Sequence, residues 1–175
     1  IHVHIDAERQ RSQPRQAPAA LQVAQLMGQL QLAGAVAPLE ITEHVLYMNE
    51  KTGYKIADYY EGTRNADAAD WDDMEKCMSM VRCLHQSGIT VAHSFDIRER
   101  ISFYEKLCRS HGALLFEDYE EVKGWMDWLM DTLDKMERPK CLCHIDVNVD
   151  NFLFFEDGSV KLLDWEYAGM CDPVM

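Results

Sequence analysis

Residues 144 to 167 read HIDVNVDNFLFFEDGSVKLLDWEY, and this stretch decides the fold. Two apolar runs flank Asp157-Gly158, a pair that predicts a tight β-hairpin turn in this setting. Polar side chains stand at both open ends of the hairpin, Asn151 before its first strand and Asp164 after its second. Because the open ends of a hairpin meet, the sequence predicts that Asn151 and Asp164 lie close together.

The loop before the hairpin runs from His144 to Asn151 and contains Asp146. Phosphoryl transfer needs a carboxylate that accepts or orients the substrate hydroxyl, and hard oxygen ligands that hold Mg²⁺ on the nucleotide phosphates. The pattern therefore assigns Asp146 as the base or orienting group and Asn151 and Asp164 as the metal ligands. His144 is predicted to be structural, holding the loop through hydrogen bonds.

The order H-x-D-x-x-x-x-N, hairpin, aspartate resembles the catalytic loop and metal-binding aspartate of the protein-kinase-like fold. Asp164-Trp165-Glu166-Tyr167-Ala168-Gly169, in place of Asp-Phe-Gly, resembles the choline/ethanolamine kinase family, which is grouped with the aminoglycoside phosphotransferases. The likeness runs from about Ile41 to Pro173 and is greatest to bacterial choline kinases.

The resemblance implies an α+β fold, namely a mostly helical kinase-like C-lobe with short β-hairpins and a truncated remnant of the N-lobe. It implies three parts: an atypical N-terminal segment (1–40), an N-lobe hairpin and hinge (41–62), and a C-lobe truncated at its C-terminus (63–175). The implied reaction is ATP-dependent phosphorylation of the hydroxyl of choline or a similar amino alcohol, with Mg²⁺ as cofactor.

The same resemblance makes Asp146 the catalytic base and Asn151 and Asp164 the magnesium ligands. Glu166 and Tyr167 would lie beside the choline pocket, where aromatic faces and carboxylates hold a quaternary ammonium that cannot donate hydrogen bonds. The hinge residues Asp58, Tyr59 and Tyr60 would bind adenine through backbone groups.

One departure leaves other functions open. The family has a phosphate-covering loop and a phosphate-binding lysine upstream of the hinge, whereas this chain has only Gly28 and Gly34 there and its first lysine is Lys51. A non-catalytic, pseudokinase-like binding module is therefore one alternative. An ethanolamine or aminoglycoside kinase is another. The exact acceptor and the oligomeric state do not follow from the sequence.

The amino-acid composition indicates which classes of ligand and partner the protein is suited to bind. The 175 residues have a formal net charge of -13, which favours cationic ligands over anionic ones, and no basic stripe for nucleic acid is visible. No apolar run is long enough to span a bilayer, and the six cysteines form no disulfide framework. A cytoplasmic protein is expected.

Cys141-x-Cys143-His144 lacks the spacing of a standard zinc knuckle, so buried strand cysteines are favoured.

Periodicity predicts the remaining elements. A weak helix is predicted at 19–32, and a hairpin is predicted from the runs 45–48 and 54–60. Three helices are predicted at 70–86, from Asp96 onward, and at 118–136. Their predicted inward positions are Met74, Cys77, Met78, Val81 and Leu84; Ile97, Ile101, Tyr104 and Cys108; and Val122, Trp125, Met126, Leu129 and Leu133.

Overall fold

The computed structural model describes residue 32 and residues 34–49, 52, 54–112 and 116–174. The helix predicted at 19–32 lies outside these residues, except for Leu32. Contact density separates two compact units, one formed by Ile1–Ser94 with Cys141–Met175 and the other by Phe95–Lys140. This division rests on compactness alone, and the lobe boundaries inferred from the sequence remain a prediction.

The first unit contains seven short strands and one long helix among its described residues. The strands are β1 Val45–Asn49, β2 Tyr54–Ala57, β3 Arg64–Asn65, β4 Cys141–Cys143, β5 Phe152–Phe154, β6 Val160–Leu162 and β7 Gly169–Cys171, and the helix is α1 Trp71–Gln86. The strands form three small antiparallel sheets, ordered β1-β2, β3-β5-β6 and β4-β7.

The hairpin that follows the polar loop is confirmed. β5 pairs with β6 in the register Phe152↔Leu162, and Gly158 has a φ of 84°, a value that glycine adopts without steric cost. The hairpin predicted near the N-terminus is confirmed as β1-β2, but its second strand ends at Ala57 rather than at residue 60. It ends there because Ala57 pairs with Val45, the first residue of β1, so Tyr59 and Tyr60 have no strand residue opposite them.

Helix α1 begins where the sequence predicts. The Asp70 side chain accepts hydrogen bonds from the backbone N–H groups of Asp72 and Asp73, which otherwise lack partners in the first turn. Cys77 and Leu84 are buried as expected. The prediction for Met78 is wrong, since its side chain is exposed. Adjacent helical residues point about 100° apart, so Met78 does not share the direction of buried Cys77.

The core of the first unit lies between α1 and the strands around the loop. Its buried members are Leu32, Val36, Ile41, Ala66, Cys77, Leu84, Leu142, Phe152, Phe154, Leu162, Trp165 and Ala168. Leu32 and Val36 belong to the segment predicted to be atypical, and both are fully buried. The sequence does not predict β3 and β7, because Arg64-Asn65 and Gly169-Met170-Cys171 contain no β-branched or aromatic residues and flank no hairpin turn signal.

Among its described residues, the second unit contains two helices, α2 Ile97–Ser110 and α3 Tyr119–Asp134. The Asp96 carboxylate caps α2 by accepting from the N–H groups of Arg98 and Glu99, so the helix begins where the sequence predicts. Polar contacts join the helices: Glu105 accepts from Tyr119 Oη at 2.9 Å and from Lys123 Nζ at 2.7 Å. Arg98 donates to Asp131 at 2.6 Å.

Four apolar positions predicted to be inward in this unit are exposed. They are Tyr104, Val122, Trp125 and Leu129, and Trp125 keeps 66% of its surface in solvent. Ile97, Ile101, Cys108, Met126 and Leu133 are half-buried. Helical periodicity identifies the apolar face of a helix but does not show whether other elements cover that face. The two helices of this unit cover only part of each other's apolar face.

None of the helices among the described residues has the length and apolar character needed to cross a membrane.

Candidate active site

Hydrogen bonds fix the carboxylate of Asp146. The Asn151 side chain donates through Nδ2 to the Asp146 backbone carbonyl at 2.8 Å and to its Oδ2 at 3.2 Å. The Asn148 side chain donates to the other carboxylate oxygen, Oδ1, at 3.1 Å. Since a carbonyl oxygen can only accept, the orientation of the Asn151 amide is determined: its nitrogen faces Asp146 and its Oδ1 remains an acceptor.

Asn148 is a site residue that the sequence analysis missed. Its side-chain oxygen accepts from the backbone N–H of Asp150 at 3.0 Å and so begins the 3-10 turn Val149–Asn151. An asparagine two residues before an exposed Asp, between apolar positions, is a recognisable Asx-turn signal. Asn65 of β3 supports the same turn, because its Nδ2 donates to the Asp150 carbonyl at 2.6 Å.

Asp164 is joined to the loop through the backbone. The N–H of its neighbour Leu163 donates to the carbonyl oxygen of Asn151 at 2.8 Å, so the two open ends of the hairpin are in contact. Asp164 is half-buried and has a φ of 61°, in the left-handed region that Asp and Asn tolerate better than most residues. The structure thus brings Asp146, Asn151 and the Asp164 backbone into one neighbourhood.

His144 is buried beneath the loop with none of its surface exposed. Its Nε2 lies 2.8 Å from the Leu163 carbonyl oxygen, which makes Nε2 the donor, and its ring packs edge-on against Trp165 at 4.7 Å. Burial lowers the pKa of His144, against the opposing effects of that hydrogen bond and the charges of Asp146 and Asp164. A neutral ring that ties the loop to the hairpin has the contacts that a structural role requires.

Ile145, between His144 and Asp146, has a φ of 75°. A β-branched residue rarely adopts this conformation, and such strained backbone costs about 1–3 kcal/mol. The buried hydrogen bond of His144 on one side and the amide contacts of Asp146 on the other hold Ile145 in place. No signal in the sequence marks this position.

Glu166 and Tyr167 lie in a 3-10 turn, Trp165–Tyr167, directly after Asp164. Both side chains are half-buried. The turn begins at the left-handed Asp164 and is fixed from below by Trp165, whose indole N–H donates to the Leu162 carbonyl at 2.7 Å. Both residues therefore closely follow Asp164 in the chain, and their predicted part in binding a cation remains a prediction.

The predicted hinge residues lie beyond β2. The Asp58 carboxylate lies 3.0 Å from Nδ1 of His44, and Tyr60 Oη accepts from the His44 backbone N–H at 3.1 Å. The Tyr60 ring also packs edge-on against Phe155 at 5.2 Å, while Tyr59 is exposed. The contact with Phe155 attaches the hinge to the end of β5, and adenine binding at the hinge remains a prediction.

The strands, the helices and the polar loop of the described residues form a kinase-like fold. Residues 5–175 match the family model described as the phosphotransferase enzyme family, APH, so the chain belongs to that family.

Among curated proteins, the chain is similar to Protein LicA of Haemophilus influenzae. In strain ATCC 51907 / DSM 11121 / KW20 / Rd the two are 25% identical over 134 residues, which is 73% of this chain and 48% of that protein. A second Protein LicA of Haemophilus influenzae is also 25% identical over 134 residues, and the match covers 38% of it.

Solved structures share the fold. Choline kinase LicA from Streptococcus pneumoniae superposes with a TM-score of 0.79 at 22% identity, covering 90% of this chain and 56% of that one. A LicA in complex with AMP gives 0.78 at 23% identity, covering 85% and 51%. A choline/ethanolamine kinase family protein from Mesorhizobium loti gives 0.69 at 24% identity, covering 90% and 53%. The chain spans about half the length of the relatives it matches.

Proposed function

We propose that this protein transfers the γ-phosphoryl group of ATP to the hydroxyl of choline or a similar small amino alcohol. One observation carries the proposal, namely the Asn151 amide fixed against Asp146, with its own oxygen left as an acceptor. That arrangement gives two side chains different roles in the proposed reaction. The Asp146 carboxylate would face the acceptor alcohol, while the amide oxygen of Asn151 would be available to bind a cation.

Asp146 is the proposed base. Its two oxygens accept from Asn148 and Asn151, so the carboxylate is held in one orientation, yet the side chain remains half-buried rather than sealed. The acceptor hydroxyl oxygen would attack the γ-phosphorus while the bond to the β–γ bridging oxygen breaks and ADP leaves. Asp146 would orient that hydroxyl and accept its proton.

The donor set fits Mg²⁺. Asn151 Oδ1 and the Asp164 carboxylate are hard oxygen ligands, and the hairpin holds their backbones together through the Leu163 to Asn151 hydrogen bond. When bound, Mg²⁺ would neutralise charge on the phosphate oxygens during transfer. Asn151 and Asp164 are the proposed ligands.

A cationic acceptor suits the site and the whole chain. Glu166 and Tyr167 follow Asp164 in one turn and supply a carboxylate and an aromatic face, the groups that hold a quaternary ammonium. The net charge of -13 favours approach of a cation. LicA choline kinase of Streptococcus pneumoniae has the same fold, and a LicA was solved with AMP. Asp58, Tyr59 and Tyr60 are the proposed adenine contacts.

The proposal is tested by measuring ADP release from ATP and Mg²⁺ with choline, ethanolamine and an aminoglycoside in parallel. We expect choline to give the largest kcat/KM, with phosphocholine as the product. A larger kcat/KM for ethanolamine or an aminoglycoside would support a phosphotransferase but show that its acceptor is not choline.

A nucleotide titration with and without Mg²⁺ separates the enzyme from a non-catalytic binding module. The second candidate is the non-catalytic, pseudokinase-like binding module. We expect Mg²⁺-dependent ATP binding. If the folded protein does not bind ATP, the result favours a non-catalytic binding module over an enzyme.

A further inference from the structure

Three side chains outside the candidate active site bring soft ligand atoms together. They are His85 in the last turn of α1 and Cys141 and Cys143 of β4, and one ligating atom from each lies within 4.8 Å of the other two. All three belong to the first compact unit. Thiolate sulfur and imidazole nitrogen are the ligands that proteins use for Zn²⁺.

The strand sets the spacing of the sulfur atoms. Residues two apart on a strand point to the same face, so Cys141 and Cys143 present both thiols on one side of β4. Their sulfur atoms are 3.7 Å apart. A tetrahedral centre with Zn–S bonds of about 2.3 Å separates its two sulfur atoms by about 3.8 Å. The thiols therefore stand at nearly the separation that such a metal requires.

The imidazole comes from a different element. Helix α1 packs against β4, and its Leu84 is buried in the same core as Leu142 of β4. The next helical residue, His85, has a ring nitrogen within 4.8 Å of both sulfur atoms of β4. Burial lowers the pKa of His85, which favours the neutral ring that a metal binds.

His144 is not the third ligand, although it follows Cys143 in the chain. Its Nε2 donates to the Leu163 carbonyl and its ring faces Trp165. A search for ligands by spacing along the chain therefore misses the site, because His85 lies far from β4 in sequence and is brought there by the packing of α1.

Burial, then hydrogen bonding with Cys141, raises the pKa of the Cys143 thiol, which favours its protonated form in the metal-free protein. A bound metal would have to displace the Cys143 proton, so affinity would weaken as the pH falls. Cys141 and His85 are half-buried, which leaves an approach for the ion.

We propose that His85, Cys141 and Cys143 bind one Zn²⁺, with the fourth coordination position left to water or an external ligand. The ion would join the C-terminal end of α1 to β4. The last residue of β4, Cys143, lies three residues before Asp146. This site is separate from phosphoryl transfer and its test requires no activity.

Co²⁺ serves as the spectroscopic probe. The full 175-residue chain, fully reduced and stripped of metal, is titrated with Co²⁺ under anaerobic conditions. We expect one equivalent to produce thiolate-to-cobalt charge-transfer absorption and the intense visible bands of a tetrahedral centre. Adding Zn²⁺ should abolish both signals.

Cys141→Ser and His85→Gln test the ligands without altering a fully buried side chain. Each should weaken binding by more than the roughly 10- to 100-fold typical of second-shell changes. Cys108→Ser, a half-buried cysteine of the second unit, is the matched control and should bind normally. Circular dichroism verifies that each variant is folded, and Zn²⁺ should raise the Tm of the wild type and the control alone.

The proposal is overturned if the reduced wild type gives no charge-transfer absorption, or if Cys141→Ser or His85→Gln binds Co²⁺ as tightly as the control. A Cys141–Cys143 disulfide in protein purified without reductant, together with no metal binding after reduction, also overturns it.

Discussion

In the proposed site, the Asn151 side chain contacts both the base and the metal. Its amide nitrogen is committed to Asp146 by a bond to a backbone carbonyl, which no rotation of the Asp146 side chain can remove. The amide oxygen is thereby directed away from Asp146 at no further entropic cost. An aspartate at this position would place a second negative charge against Asp146 and lose both donated hydrogen bonds, which explains why an amide suits it better than a carboxylate.

Asp146→Asn should lower kcat by about 10²- to 10⁴-fold, the usual contribution of a general base, while Mg²⁺-dependent ATP binding stays nearly intact. The amide keeps the size of the side chain but cannot accept the proton of the alcohol. The measurement is ADP release together with an ATP titration. Asp150→Asn is the matched control, because it makes the same change in charge on an exposed residue of the same loop. Normal turnover by Asp146→Asn would refute the assigned role.

Asp164→Asn should raise the Mg²⁺ concentration needed for half-maximal activity, because one negative ligand becomes neutral while the left-handed backbone at φ 61° remains acceptable to Asn. Asp164→Ala should show the same loss of Mg²⁺ response plus a strained backbone that costs about 1–2 kcal/mol. ADP release against Mg²⁺ concentration and urea unfolding separate the two effects. An unchanged Mg²⁺ dependence in Asp164→Asn would remove Asp164 from the ligand set.

At the scale of elements, the sequence predicts those that carry their own signals. The β5-β6 hairpin has its Asp157-Gly158 turn, and α1 and α2 have capping aspartates, so their positions follow from local chemistry. Strands β3 and β7 carry no such signal, since each forms only because a partner strand lies beside it. The same limit applies to the site: Asp146 and Asn151 are visible in the sequence, whereas the support from Asn65 of β3 depends on strand pairing.

The ion pair between Arg64 and Asp73 fastens β3 to α1. The guanidinium donates to the two carboxylate oxygens of Asp73 at 2.5 and 2.8 Å, and the Asp67 N–H donates at 3.0 Å. These contacts, the Arg64 hydrogen bonds first, lower the pKa of Asp73 to about 2. A lowered pKa in the folded state stabilises the protein above the ordinary Asp pKa, and the contribution is lost as the pH falls toward 2.

Asp73→Asn should therefore lower the urea midpoint at pH 6, and its deficit against the wild type should shrink between pH 4 and pH 2. Tryptophan fluorescence follows unfolding at each pH. Asp72→Asn is the control, because Asp72 is the exposed neighbour in the same first turn. An Asp73→Asn deficit of equal size at pH 6 and pH 2 would show that the carboxylate charge contributes nothing through Arg64.

At the scale of the whole molecule, the two compact units differ in what stabilises them. The first has a continuous apolar core beneath the loop, with Leu142, Phe152 and Leu162 at its centre. In the second, neither helix has a buried residue; the helices carry ion pairs such as Arg98 to Asp131, and their apolar positions stay partly in solvent. Hydrophobic periodicity is equally clear in both, so the sequence alone does not distinguish a covered helix face from an exposed one.

The net charge of -13 is a property of the whole chain, and it leads to a prediction about the acceptor. If the field assists a cationic alcohol, kcat/KM for choline should fall by a few fold as ionic strength rises, within the roughly 10- to 10³-fold range that steering can reach. At 0.1 M salt the Debye length is about 10 Å, so distant charges are screened while contacts within the pocket are screened much less.

The uncharged isostere of choline, 3,3-dimethylbutan-1-ol, isolates the effect of the acceptor's charge. Salt affects ATP and Mg²⁺ equally whether choline or the isostere is the acceptor, so this common effect cancels in a ratio of the two kcat/KM values. The ratio of kcat/KM for choline to that for the isostere should decrease with salt and then level off above one. If Glu166 and Tyr167 hold the cation as proposed, the remaining plateau measures their local contribution, and Glu166→Gln should lower the plateau while leaving the salt-dependent part in place. A ratio that does not change with salt would show that recognition of the cation is entirely local.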